Sequence, residues 1–352
     1  MSKRTAVLTT VLVQILALAL WGVAQAAPLN PLATFTGGRG ASSDGVGGGG
    51  GAVDVETPAN PTVVQAFLYN ITFGGTVRGG TASADLNGNT VNMGFIGFEN
   101  LIANFDLSTY RADVTSIVKP IVDANVAGGK TAFNVSNITG AGGGSSSDGV
   151  ALVVVFGAPS IPSTQSVAIL DGSQGGGGGP QNATFVLAGP LDKTVPGFKA
   201  ILGLGINFSF QGVAGHTCGG GQFSTVDVNG SRLASCAGNF DDGFGSDGGL
   251  ITIGGVDDDT LNPPPLCQNN TCSDDELYDI SSFLSQGDLQ ILLTTFNPSN
   301  DDALFVAVLE LTADILQTCT VNCAAVPAPA TALLLGSGLL GLAALRRAFR
   351  AK

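Results

Sequence analysis

The chain has 352 residues, 52 of them Gly, and 14 Lys and Arg stand against 27 Asp and Glu for a formal charge of -13. Gly runs at about twice the usual ~7% and charged residues, at 12%, at about half the usual ~25%. So few basic residues exclude a nucleic-acid binder, and a 44% hydrophobic content with so little charge excludes a disordered polyelectrolyte or a coiled coil.

Mean hydropathy is +0.35, which points to apolar export or membrane segments. The first lies at residues 1–26. Lys3 and Arg4 form a basic start, Ala6 to Val23 an almost uncharged apolar run, and Ala24-Gln25-Ala26 a small-x-small site for signal peptidase. Cleavage there leaves Ala27 as the mature N-terminus; the alternative is an uncleaved anchor helix. Residues 27–54 follow as a Gly-rich linker, with its densest run at Gly47 to Gly51.

From residue 55 the pattern is β. Val63 to Phe73 is β-branched and aromatic, with Phe67, Tyr69, Ile71 and Phe73 on one face. Ala151 to Phe156 is an apolar run suited to burial on both faces, as are Ala200 to Phe210 and Ala303 to Leu311. Gly, Asn, Asp and Ser clusters separate these runs. Three short blocks recur in one order. Asp85-Leu86-Asn87-Gly88 returns as Asp227-Val228-Asn229-Gly230, Tyr110 to Thr115 as Glu276 to Ser281, and Asp148 to Val155 as Asp302 to Val308. Asn-Gly between apolar residues is a hairpin signal. The expected fold is all-β: two tandem antiparallel β-sandwich modules, jelly-roll or Ig-like, at 55–172 and 181–320. A Gly-rich linker or loop at 173–180 separates them, and a signal helix and a C-terminal transmembrane helix flank them. The alternative makes the Gly runs long hairpin loops within one domain. The blocks resemble tandem β-sandwich modules of secreted bacterial and archaeal surface proteins, in which a Tyr-x-x-Asp-Val-Thr strand precedes an Asp-Gly-x-x-Leu-Val-Val-Val strand and an Asp-Gly turn, here Asp171-Gly172. That resemblance implies a fold and no activity.

Cys218, Cys236, Cys267, Cys272, Cys319 and Cys323 all fall in the second half. An even set in an exported chain suggests disulfides. Local pairing (218–236, 267–272, 319–323) is the simplest of many connectivities; a zinc site near His216 competes, without a C-x-x-C pair to support it. Acidic loops carry Asp241, Asp242, Asp247, Asp257, Asp258 and Asp259, hard oxygen ligands that make Ca²⁺ the candidate cofactor, though no EF-hand spacing occurs. His216 is the only His, and no nucleophile elbow or phosphate-binding loop accompanies it, so no enzyme is expected.

The last segment is the most specific. Val326-Pro327-Ala328-Pro329 precedes an apolar run from Ala330 to Leu345 and then Arg346, Arg347 and Arg350. That run reaches ~24 Å as a helix, slightly short of a bilayer core. Its cationic end belongs in the cytoplasm. This tail resembles the PEP-CTERM sorting signal of Gram-negative bacteria, with Ala328 in place of the central Glu. The resemblance implies transient anchoring in the inner membrane, cleavage near the motif by an exosortase-like transpeptidase, and delivery to the cell surface or an extracellular biofilm matrix with exopolysaccharide as a partner. A plain C-terminal anchor is the alternative. The expected function is structural or adhesive, with a carbohydrate-binding module and a secreted hydrolase as competing classes. Six of the 14 basic residues and no acidic residue lie in the two tails, so the mature chain has 8 basic against 27 acidic residues, a formal charge of -19.

Overall fold

The structure, a computed structural model, describes residues 27–74, 79–102, 105–141, 146–175, 179–207, 224–238, 251–258, 260, 276–298 and 302–316. The stretch expected as a linker forms strands instead: β1 (Ala27–Phe35), β2 (Gly40–Gly47) and β3 (Gly51–Thr57). The reason is local. Val53 and Val55 point into a core while Asp54 and Glu56 point away, a period of two that Gly richness obscures. The Gly run between β2 and β3 is a tight turn closed by the Gly50 amide on the Gly47 carbonyl at 2.9 Å. Gly50 has φ +78°, and a Cβ there would meet the Val135 carbonyl oxygen at 2.7 Å.

Strands β4 (Thr62–Phe73), β5 (Thr81–Leu86), β6 (Asn89–Ile102) and β7 (Phe105–Asp113) follow, then helix α1 (Thr115–Val122), β8 (Gly129–Thr139) and β9 (Ser146–Gly157). With β2 and β3 these make one antiparallel sheet in the order β2-β9-β4-β7-β6-β5-β8-β3. The sheet curls until its end strands meet. Side chains of β2 close the seam: Ser42 Oγ accepts from the Glu56 amide at 3.0 Å, and the Asp44 carboxylate accepts from the Asp54 amide. Leu68, Leu86, Met93, Tyr110, Phe133 and Leu152 fill this near-barrel, and Val118 and Val122 of α1 pack into the same core.

The remaining described strands are β10 (Ser166–Gln174), β11 (Gln181–Val186), β12 (Ala200–Asn207), β13 (Ser224–Val228), β14 (Ser231–Ala237), β15 (Thr252–Ile253), β16 (Leu277–Asp279), β17 (Gln290–Phe296) and β18 (Ala303–Leu311). One sheet runs β1-β10-β18-β12-β15, with β16 also on β12; another runs β11-β17-β13-β14. A core containing Leu202, Leu204, Val226, Leu233, Leu293 and Leu309 lies between them.

The near-barrel order, cut between β7 and β6, is β2-β9-β4-β7 and β6-β5-β8-β3. The later strands repeat it position for position, as β10-β18-β12-β16 and β14-β13-β17-β11. Hydrogen bonds repeat too. Asn87 Oδ1 accepts from the Asn134 amide at 2.8 Å, and Asn229 Oδ1 from the Leu292 amide at 2.9 Å. Thr115 Oγ1 accepts from the Ala66 amide at 2.9 Å, and Ser281 Oγ from the Ala200 amide at 3.1 Å. A ladder joins β7 to β6, whereas no such ladder joins β16 to β14 among the described residues, so the second copy stays as two facing sheets. The copies therefore run over 40–157 and 166–311. Strand β10, placed by sequence at the end of the first module, opens the second copy, and the expected linker at 173–180 lies between its first two strands.

All described residues fall in one compact unit, Met1–Thr318. A third core explains why. The outward residues Phe67, Tyr69, Ile71, Val153 and Val155 of the near-barrel pack on Val167, Ile169, Phe305, Val306 and Val308. Strands β9 and β18 are thus buried on both faces, which is why their sequences are continuous apolar runs.

Candidate functional site

The expected site residues are mostly outside the described residues. Ala24, Ala26, Asp241, Asp242, Asp247, Asp259, Cys218, Cys267, Cys272, Cys319, Cys323 and the tail residues Val326, Pro327, Ala328, Pro329, Arg346, Arg347 and Arg350 all lie there. Ala27 is the first residue of β1, and Cys236 lies in β14. Asp257 and Asp258 are described, and both are engaged within the protein. Asp257, at φ +72°, is ion-paired with Lys130. Asp258 Oδ2 accepts from the Gly255 amide at 2.6 Å, bracing a turn. That turn is seated on β2, where the Val256 amide donates to the Ser43 carbonyl at 2.9 Å and Ser43 Oγ to the Gly254 carbonyl at 2.6 Å. Among the described residues no group of three His, Cys, Asp or Glu could hold a metal ion.

A crevice of about 210 Å³ lies beside this turn, between the near-barrel seam and the sheet of β12 and β18. Ser42 and Ser43 of β2, Glu56 of β3, Lys199, Ile201 of β12 and Glu310 of β18 line it. Glu310 interrupts an otherwise apolar strand, and its neighbours explain why. Its carboxylate accepts from the Ala41 amide at 2.7 Å, from Gln165 Nε2 at 2.8 Å and from Lys199 Nζ at 3.2 Å. The Ala41 bond crosses from the second copy to the first. A small-molecule pocket usually offers roughly 300–1,000 Å³. This crevice is smaller, and its described lining is made of polar and aliphatic residues.

A second polar cluster is largely buried. Tyr69 of β4 donates its hydroxyl to Asp171 Oδ2 of β10 at 3.1 Å, and Arg111 of β7 is ion-paired with the same oxygen while its guanidinium lies 5.5 Å from the Phe67 ring centroid. Burial pushes the Asp171 carboxyl above its ordinary range, against the pull of Arg111. Burial first, and then the Asp171 charge, push the Tyr69 hydroxyl well up as well. These groups tie the first copy to the second.

Asp44 is the third. Burial raises its carboxyl to about 6, the charges of Asp54 and Asp257 add to the rise, and the amides of Asp54 and Gly45 oppose it. Asp44-Gly45 on β2 and Asp171-Gly172 on β10 occupy corresponding strands of the two copies, a recurrence present in the sequence but masked by the surrounding Gly.

No protein-family model matches the chain, and no curated protein matches it. Among solved structures, the crystal structure of the major capsid protein P2 from Bacteriophage PM2 is 11% identical over 81% of this chain and 99% of that one, with a TM-score of 0.14. A likeness that slight carries no argument.

Proposed function

We propose that this chain is an exported cell-surface or matrix protein with a structural or adhesive role, sorted through its C-terminal tail by an exosortase-like transpeptidase. The observation that carries this reading is the tail itself: Val326-Pro327-Ala328-Pro329, the apolar run after it, and Arg346, Arg347 and Arg350. A duplicated all-β body tied together through three cores suits a load-bearing spacer. Its strong negative charge would keep it soluble outside the cell.

Each copy is, in this reading, a jelly roll. With its strands numbered one to eight in chain order, the two halves run 1-8-3-6 and 5-4-7-2, which supports a pair of interleaved Greek keys.

The test is a chain ending at residue 325, compared with the full chain in cells that export both. Protease added to intact cells is expected to digest the full chain, while the shortened chain stays protected in the periplasm. Equal digestion of both would overturn the sorting role of the tail.

A further inference from the structure

Strand β1 is outside the repeated order. It is joined to β2, the first strand of the first copy, yet it pairs with β10, the first strand of the second. The chain thus completes the sheet of one copy with a strand tethered to the other. Leu29 of β1 enters the core between the second copy's two sheets and Leu32 the core shared with the near-barrel, so β10 presents a socket that an apolar strand must fill.

The seat is well filled but the ladder is irregular. Pro28 and Pro31 lack amide donors, and the register shifts between Ala27 and Asn30 and again between Pro31 and Ala33. The tether is four residues long, and in it Gly37 and Gly38 hold φ +82° and +74°. The Gly38 and Arg39 amides both donate to the Gln165 carbonyl, at 3.0 and 3.1 Å, so exchange has to release two hydrogen bonds of the link, while Gly37 beside them has open space around it. With cleavage after Ala26, β1 has this one tether only.

We propose that β1 is an exchangeable strand, which one molecule inserts beside β10 of a second copy of this chain. Every contact of the closed form is kept in the exchanged form, and only the link changes, which is the low-cost route to assembly. Donor and acceptor are different surfaces of the molecule, so reciprocal insertion gives a closed pair and successive insertion a ring or an open chain. The inference rests on export with signal cleavage, which the mass of the purified chain reports separately.

Thr34 and Ala168 are direct cross-strand partners. Two differently tagged full-length chains, Thr34→Cys and Ala168→Cys, are co-expressed with export, and disulfides between positions 34 and 168 are mapped by mass spectrometry. The expected result is a cross-linked species carrying both tags, increasing with expression level and not formed by either variant alone. The chain carrying both substitutions serves as the reference for the closed form. If that chain closes on itself while the mixed chains never cross-link, β1 does not exchange. If neither cross-link forms, the seat of β1 on β10 is itself wrong, and the proposal falls with it.

Discussion

Asp44 shows what one residue contributes. Its carboxyl is raised to about 6 by burial, so the folded chain holds a proton that the unfolded chain, near the ordinary 3.8, has released. Stability contributed by the protonated form is present at low pH and is lost as pH rises through about 6. Integrated from about pH 5 to about pH 7.5, this one group lowers stability by about 1.4 kcal/mol. Asp171 is shifted in the same direction, by burial. Urea unfolding at the two pH values is expected to show the wild type more stable at the lower one, and Asp44→Asn to lose most of its share of that difference. Equal pH dependence in both proteins would contradict the buried, proton-holding Asp44. The residue was not legible as special from sequence, because an Asp-Gly pair in a Gly-rich stretch has the composition of a solvated turn.

Among the elements, hairpins were the most legible. Asn87-Gly88 and Asn229-Gly230 form the turns of β5–β6 and β13–β14, with Asn φ of 48° and 49° and Gly φ of 75° and 78°. Each Asn also caps the neighbouring strand through its side-chain oxygen. Replacing it with Ala loses that bond and strains a left-handed backbone, together about 2 kcal/mol. Asn87→Ala and Asn229→Ala are expected to cost similar amounts by denaturant unfolding and to add in the double variant. A loss from one and none from the other would show that the turns are not equivalent. Strands β1 to β3 look like linker in sequence for a physical reason. Glycine that allows close backbone approach and glycine that loosens a linker are the same residue, and only the partner strand distinguishes them.

At the scale of the molecule, the recurring blocks announced a duplication, but the division between copies was placed too late. Its true start is marked by Asp171-Gly172, which corresponds to Asp44-Gly45 in a stretch that looked like linker. The apolar runs of β9 and β18 did signal burial on both faces; what they could not show is that the two buried faces meet in one shared core. Polar residues that bind the copies, Glu310 with Ala41 and Asp171 with Tyr69 and Arg111, have partners 60 to 269 residues away, which periodicity does not reveal. The central claim, export with removal of both tails, is tested most directly by the intact mass of the protein released from its native cells. The expected mass is that of a chain beginning at Ala27 and ending before Arg346. A chain that still carries Arg346, Arg347 and Arg350 would contradict it.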